Sequence, residues 1–144
     1  MSELLLLCTI AGQRIALPAL RVESVIDVSE ITPIPGTPDF IAGLTALRSQ
    51  ALTVIDCARA IGLPYAEPRG QCRAAVIESA GHLYALMLES AETVGEALSR
   101  PLAVPGGFGE RWRRVAEGLV ETCEGPALLI DVEHLIGGPQ PMAA

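Results

Sequence analysis

A glycine-rich run at residues 106–109, Gly-Gly-Phe-Gly, is the first place in this sequence where chemistry is conceivable. Loops of this composition can cradle a phosphate when they join a strand to the positive end of a helix. Here the run follows Pro105 rather than a strand, and no helix is predicted behind it. The run is therefore interpreted as a surface loop rather than as a phosphate site.

A second cluster, Asp131, Glu133 and His134, combines the residue types of general acid–base catalysis. Asp131 directly follows an apolar strand-like segment and is predicted to cap a short helix through Ile136. Its carboxylate is then engaged by backbone N–H groups, and the other two side chains are predicted to face solvent. The cluster is not expected to be catalytic.

Arginines at 111, 113 and 114 surround Trp112 and superficially suggest a patch that stacks nucleic-acid bases. The acidic composition of the chain argues against that, and a half-buried Trp112 in a strand over 112–120 is the preferred interpretation. The sequence also lacks a G-x-S-x-G nucleophile elbow. Together these observations predict a protein that is not an enzyme.

The cysteines and histidines are dispersed, and no C-x-x-C pair occurs. They are Cys8, Cys57, Cys72, Cys123, His82 and His134. A metal site is not expected from such isolated ligands, and no cofactor is predicted. Reduced, buried thiols are favoured over disulfides because free cysteine is commonly buried.

The composition limits the possible partners. The 144 residues suffice for one domain, or for two very small barrels that share a core. Half of the residues are hydrophobic and few are aromatic, so an aliphatic core is predicted. The net charge of −7 argues against nucleic acid and against anionic membrane surfaces as partners. All ten positive charges are arginines, which excludes lysine Schiff-base chemistry and the phosphate-loop lysine.

No segment of the sequence predicts insertion into a membrane. The apolar run at residues 4–7 is short and follows Glu3, where a signal peptide would carry positive charge. No stretch approaches the roughly 20 apolar residues of a membrane span. A cytoplasmic location is expected.

The segment 32–56, which would position any functional residue, predicts a β-hairpin. Prolines at 33, 35 and 38 enforce a rigid non-helical start. Two apolar runs follow, separated by the polar residues 48–50. Arg48 is therefore predicted to lie at a turn between two strands, where its guanidinium is solvated and can contact a partner.

Most other segments also predict short strands. Expected strands cover 4–10, 14–17, 25–28, 72–78, 83–88, 112–120 and 127–130, with a bend over 89–94 and a long loop over 101–109. Short helices are predicted after Pro18, including Val22 and Glu23, over 57–62 with a glycine stop, and after Asp131. Many short strands with few helices favour an all-β barrel architecture. We predict one domain over residues 1–139 made of two barrel subdomains, with exchange of strands between the barrels left open, a connector near 63–70 and a disordered tail at 140–144.

The two halves of the chain contain a weak repeat. An apolar strand ends in Ile-Asp and runs into a short helix at Val54-Ile55-Asp56, and again at Leu129-Ile130-Asp131.

The central hairpin resembles the signature of CheW-type coupling proteins of bacterial chemotaxis. The pattern is P-G-T-P-x-F-I-x-G-L-x-x-L-R-S-x-x-L-T-V-I-D. The matching residues are Pro38, Phe40, Ile41, Gly43, Leu47, Arg48, Ile55 and Asp56. Segments before and after the hairpin also resemble the family, so the resemblance covers nearly the whole chain.

The resemblance implies two small five-stranded SH3-like barrels packed around a shared hydrophobic seam, with short helices. It implies a non-catalytic adaptor that bridges the cytoplasmic tips of methyl-accepting chemoreceptors to the regulatory domain of the histidine kinase CheA. The family's groove between the barrels takes the receptor tip, and an exposed end of one barrel docks the kinase. A cytoplasmic protein recruited to receptor arrays is therefore expected.

Carried over by position, the resemblance implies a partner-binding set. This set is Val22, Glu23, Ser24, Gly43, Leu47 and Arg48. Val22 and Arg48 correspond to receptor contacts, and Gly43 to a backbone-critical glycine. Each residue also has a structural alternative: core packing for Val22, strand geometry for Gly43, and an intramolecular ion pair for Arg48.

Several residues depart from the family pattern. Ala46 stands where the family usually has Asn, Ser49 where it has Gly, and Glu89 where it has Asp. Ser24 stands where Glu is common, and Glu23 is one residue too early to replace it. Losing the glycine predicts a changed turn around Arg48. A diverged paralogue is one interpretation, and two alternatives remain: a CheW-like regulatory or competitor module that inhibits a kinase, and a small-ligand-binding barrel.

Overall fold

Ten β-strands and three short α-helices make up the part of the chain that the computed structural model describes, residues 3–28, 30–63 and 72–138. The strands are β1 (Leu4–Ile10), β2 (Gln13–Pro18), β3 (Val22–Val28), β4 (Ile41–Leu47), β5 (Gln50–Asp56), β6 (Cys72–Ser79), β7 (His82–Leu88), β8 (Ser90–Glu96), β9 (Ala116–Thr122) and β10 (Gly125–Ile130). The helices are α1 (Cys57–Ile61), α2 (Glu110–Val115) and α3 (Val132–Gly137), and 3₁₀ turns occupy Ala19–Arg21 and Gly106–Phe108. The predicted all-β class is confirmed.

The strands form two five-stranded barrels of identical topology. Barrel A has the strand order β8-β1-β2-β10-β9, and barrel B has the order β3-β6-β7-β5-β4. In each, the third and fourth strands are parallel, β2 with β10 and β7 with β5, and the other neighbours are antiparallel. The predicted pair of five-stranded barrels is confirmed.

The chain passes between the barrels twice. It leaves barrel A after β2 through the 3₁₀ turn Ala19–Arg21, and it returns from β7 to β8 across Glu89. Barrel A therefore combines β1 and β2 with β8, β9 and β10. Of the predicted connector at 63–70, residues 64–70 lie outside the described residues, and β5 and β6 on either side of it belong to the same barrel. The predicted tail at 140–144 also lies outside them.

Three apolar cores follow from the alternation of side chains along the strands. One set of faces fills barrel A, with Leu5, Leu7, Ala16, Val120, Ala127 and Leu129. Another fills barrel B, with Val28, Leu52, Val54, Ala74, Val76 and Ala85. The opposite strand faces meet in a third cluster, the seam, where residues such as Leu6 and Ile15 of barrel A join Ile55 and Ile77 of barrel B. The predicted hydrophobic seam between the barrels is thus present.

The helices cover the seam. The Asp56 carboxylate accepts a hydrogen bond from the Arg59 N–H, and Gly62 ends α1 in the left-handed conformation. Asp131 caps α3 by accepting from the Glu133 and His134 N–H groups, so the predicted repeat is confirmed at both ends. From α2, Arg114 donates to the carbonyls of Ile61 at 2.7 Å and Gly138 at 3.0 Å, which ties the ends of α1 and α3 together.

Three predictions about local structure are wrong. Residues 110–115 form α2 rather than a strand. Trp112 and Val115 are both buried in the seam, because a spacing of three residues places them on one face of a helix. A helix therefore does follow the glycine run. Residues 90–96 form β8 rather than a bend, because β1 offers them a pairing edge.

The cysteines follow the prediction only in part. Cys8 and Cys57 are free and buried, and burial raises the pKa of the Cys57 thiol well above its usual range. Cys123 is free but exposed, because it lies at the tip between β9 and β10 rather than in a strand interior.

Candidate partner-binding surface

Five of the six predicted partner-binding residues lie on β3 and β4, the two outer strands in the order of barrel B, and Arg48 lies in the turn between β4 and β5. Val22, Glu23 and Ser24 begin β3, whereas Gly43 and Leu47 belong to β4. The prediction that Val22 lies on a helix is wrong. The 3₁₀ turn ends at Arg21 because β6 pairs with the chain from Val22 onward.

The strand register places these residues at one end of barrel B. A continuous row of paired residues runs Val22–Ile77–Tyr84–Thr53–Leu44. The adjacent row links Ser24 to Gly43 through Val76, Ala85 and Val54. The β4–β5 turn extends beyond the Val22 row, at the same end of the barrel. The register therefore brings the β3 start and Arg48 to a common end of the barrel.

Arg48 occupies a tight two-residue turn. Arg48 and Ser49 have φ angles of 51° and 69°, which is the left-handed region, so the turn is of the primed type that suits a twisted hairpin. The turns at Ala11-Gly12 and Ala80-Gly81 have the same signs of φ, but each has glycine second. The altered turn predicted from Ser49 is therefore not a change of turn type: Ser49 holds a conformation that glycine would adopt without strain.

The Arg48 guanidinium is exposed, and no hydrogen bond or ion pair joins it to another residue of the described chain. Glu23 is also exposed and makes no ion pair within the same ranges. The alternative in which Arg48 fixes its loop through an intramolecular ion pair is not supported. The guanidinium is available to a carboxylate on another molecule.

Gly43 is buried and has a structural role. Its φ is 148°, and a Cβ there would overlap the carbonyl oxygen of Thr32. Thr32 approaches closely because its N–H and carbonyl exchange hydrogen bonds with Leu44 at 2.8 and 2.9 Å, which continues barrel B beyond β4. Gly43 therefore permits barrel closure and does not present a side chain to a partner.

The remaining predicted residues differ in accessibility. Glu23 and Ser24 are exposed, at the bulge where β3 shifts register against β6. Val22 is half-buried against the seam, and Leu47 is half-buried against the interior of barrel B. The accessible part of the set is thus Glu23, Ser24, Arg48 and the outer part of Val22.

A polar clamp at the same end of barrel B was not predicted. The Arg21 guanidinium donates to the Glu133 carboxylate at 2.6 Å and to the Glu78 carbonyl at 3.3 Å. The Ser79 hydroxyl donates to the other Glu133 oxygen at 2.7 Å, and these hydrogen bonds, Ser79 first, lower the pKa of Glu133 below its usual range. The clamp, defined as Arg21, Ser79 and Glu133, joins the crossover turn to β6 and α3.

Leu20, next to the clamp, was also not singled out from the sequence. Its side chain is 98% exposed, the highest exposed fraction among the large hydrophobic residues in the described ranges. The only available signal was an apolar residue inside a turn that begins after Pro18, and such a residue is equally compatible with burial.

A second exposed surface lies on barrel A. The barrel A patch is defined by Leu4, Val94, Leu98 and Leu102, each more than half exposed. Leu98 and Leu102 donate backbone hydrogen bonds to Glu121 and Leu119 of β9, both at 2.8 Å, so their backbones are fixed. A groove of about 520 Å³ lies beside them, lined in part by Leu98 and Val120.

The described residues offer neither a metal site nor a membrane span. Within residues 3–28, 30–63 and 72–138, no three His, Cys, Asp or Glu side chains group as metal ligands. No helix in these ranges is long and apolar enough to cross a membrane.

Comparison with known proteins identifies the fold. The family model for the CheW-like domain matches residues 4–140. Among solved structures, this chain is similar to the scaffolding protein TtCheW from Thermoanaerobacter tengcongensis, with a TM-score of 0.79 and 22% sequence identity. The match covers 94% of this chain and 88% of the other, and at that identity the likeness is one of fold. No curated protein sequence matches this chain at a significant level.

Proposed function

We propose that this chain, which belongs to the CheW-like domain family, couples chemoreceptors to the histidine kinase CheA in bacterial chemotaxis. CheW-like domains are non-catalytic scaffolds, and this chain is not an enzyme. The observation that carries the proposal is the presence of two exposed surfaces on two different barrels, the Arg48 end of barrel B and the barrel A patch. A protein that bridges two partners requires two such surfaces.

The Arg48 end of barrel B is assigned to the receptor tip. Its exposed cation lies on a tight two-residue turn, so little backbone conformational entropy is lost on binding. A guanidinium can form two parallel hydrogen bonds with one carboxylate, which favours a partner with an acidic side chain. Val22 and Ser24 supply the adjoining apolar and hydroxyl contacts.

The barrel A patch is assigned to the regulatory domain of the kinase. Its four apolar side chains are exposed although their backbones are hydrogen bonded in or beside strands. Clustered exposed aliphatic residues are typical of protein–protein contacts. A stable contact buries on the order of 1,000 Å² in total, so the kinase domain would also cover the neighbouring groove.

The expected location follows from these partners. The proposed adaptor acts in the cytoplasm and is recruited to the membrane only through the receptors that it binds.

The receptor assignment is tested by reversing the charge at Arg48. Arg48→Glu should weaken binding of the receptor tips encoded in the same genome by about tenfold or more, because it places like charges in contact. Binding should be measured by titration calorimetry. Arg73→Glu is the matched control, since Arg73 is exposed at the opposite end of barrel B and forms an ion pair with the exposed Asp27. If Arg48→Glu and Arg73→Glu bind the receptor tips with equal affinity, the assignment of the Arg48 end to the receptor is contradicted.

The kinase assignment is tested by placing a charge in the barrel A patch. Leu98→Asp should weaken binding of the CheA regulatory domain and leave receptor binding unchanged.

In a reconstituted assay, the wild-type protein should raise receptor control of kinase activity as its concentration rises. Simple inhibition of the kinase at all concentrations would instead support the competitor function.

A further inference from the structure

We propose that Leu20 is an additional anchor of the receptor-side surface, and that Arg21 and Glu133 are positioning residues that hold it there. The inference rests on the proposed function, because it assigns Leu20 to the same partner as Arg48. It commits to one occupant: the receptor tip, which would present an apolar recess beside a carboxylate.

The exposure of Leu20 is the first observation. A solvated leucine alone needs no explanation, since much of any protein surface is apolar. Leu20, however, is 98% exposed in a turn whose other two residues, Ala19 and Arg21, are half-buried. Complete insertion into a partner would remove the whole side chain from water.

The backbone on both sides of Leu20 is fixed. Before it, the ring of Pro18 restricts φ, which is −57°, and after it the Val22 N–H donates to the Ala19 carbonyl and closes the turn. Ordering a leucine side chain costs only about 0.5–1 kcal/mol, less than a lysine or glutamate does. Leu20 is therefore preorganised for binding.

The clamp fixes the turn further and removes charge from its surroundings. Arg21 reaches both the Glu78 carbonyl of β6 and the Glu133 carboxylate of α3. Because Glu133 neutralises Arg21, the residue next to Leu20 presents no free cation to a partner. The clamp holds Leu20 between the two barrels, at the point where the chain crosses from β2 to β3.

The register places Leu20 beside the proposed receptor contacts. Leu20 lies two residues before Val22, and Arg21 reaches the Glu78 carbonyl in the row adjacent to Val22 and Ile77. The Arg48 turn projects from the same end of barrel B. An apolar projection and an unpaired cation on one end of a barrel are complementary to an apolar recess and a carboxylate.

The anchor is tested with Leu20→Ala against the receptor tips encoded in the same genome. Affinity should fall about tenfold, as for other anchor residues, while affinity for the kinase domain is unchanged. The thermal midpoint should not change, since the side chain makes no buried contacts. The loss should be the same at low and high salt, whereas the loss from Arg48→Glu should shrink as salt rises. Leu102→Ala, which changes an exposed leucine of the barrel A patch, is the reciprocal comparison: it should weaken binding of the kinase domain rather than of the receptor tip.

The positioning role is tested by a double-mutant cycle. Glu133→Gln should weaken receptor binding in the wild-type background and have little effect in the Leu20→Ala background. Additive losses would mean that the clamp does not act through Leu20 and would overturn that part of the proposal.

The two proposals fail in distinguishable ways. If Arg48→Glu weakens receptor binding and Leu20→Ala does not, the Leu20 anchor is wrong and the adaptor function stands. If the wild-type protein binds none of the receptor tips, both are wrong.

Discussion

Two glycines show how single residues permit the barrels to close. Gly43 and Gly118 occupy equivalent places in β4 and β9, each one residue before a leucine that bridges to an incoming segment. A Cβ on Gly118 would lie 2.8 Å from the Leu102 carbonyl oxygen, which repeats the conflict that Gly43 would have with Thr32. Both positions require the absence of a side chain for the same reason.

Substitution of Gly43 should therefore be costly. Gly43→Ala combines overlap with a backbone carbonyl and a φ of 148°, so we expect the free energy of unfolding to fall by about 3 kcal/mol. The measurement is urea denaturation followed by circular dichroism.

Gly107→Ala is the control for Gly43→Ala. No atom lies within 4 Å of a Cβ at Gly107, and its stability should change by less than about 1 kcal/mol. A small effect at Gly43 would show that Thr32 can move away and that this close approach does not determine closure.

At the residue scale, the sequence predicts what is local. The exposed turn position of Arg48 and the helix cap at Asp131 depend on a few neighbouring residues, and both were predicted. The clamp was not, because Arg21 and Glu133 are 112 positions apart in the sequence. No local pattern indicates such a pair.

At the scale of elements, the β4–β5 hairpin combines a favoured turn type with an unfavourable residue. Three hairpins in the described chain use two left-handed residues, and only this one lacks glycine. The Ser49 conformation costs roughly 1 kcal/mol relative to glycine, partly offset by the greater entropy of an unfolded glycine.

Ser49→Gly should consequently stabilise the protein by about 0.5 kcal/mol, the difference between those two effects. It should leave Arg48 in place and receptor binding intact. Thermal and urea unfolding measure the change in stability, and titration calorimetry measures receptor binding. Ala46→Gly provides the contrast, because Ala46 is in the extended β4 and glycine should destabilise it. Destabilisation by both substitutions would mean that Ser49 is not strained.

The prediction of strands succeeded where the turn residues and the alternation of apolar and polar side chains indicate the same structure. The examples are the β1–β2, β4–β5 and β6–β7 hairpins. The prediction failed at α2, where Trp112 and Val115 are three residues apart, a spacing that places them on one face of a helix but on opposite faces of a strand. It failed at β8, where Glu92 and Glu96 weaken the apolar pattern and the partner β1 is more than 80 positions away in the sequence.

At the scale of the whole molecule, the two barrels exchange strands. The first half of the described chain gives the β1–β2 hairpin to barrel A and β3, β4, β5 to barrel B. The second half gives the β6–β7 hairpin to barrel B and β8, β9, β10 to barrel A. The sequence left strand exchange open but did not indicate which strands are exchanged, because that depends on pairings across the full length.

Neither half should fold alone. If the chain is divided between β5 and β6, into residues 1–67 and 68–144, each fragment lacks the strands that complete its sheets. We expect each fragment alone to be unfolded by circular dichroism and the co-expressed pair to purify together with the native spectrum. Cooperative unfolding of one fragment by itself would contradict the interdependence of the halves.

The exchange of strands between the barrels is also relevant to how the protein can bind two different partners. A half-length chain with this strand pattern could complete both barrels only as a symmetric dimer, and it would present the same hairpin tip twice. In the present single chain the two equivalent tips differ: one carries Arg48 and Ser49, the other Cys123 and Glu124. Joining the halves covalently therefore frees the two ends of a symmetric architecture to acquire opposite charges and separate specificities.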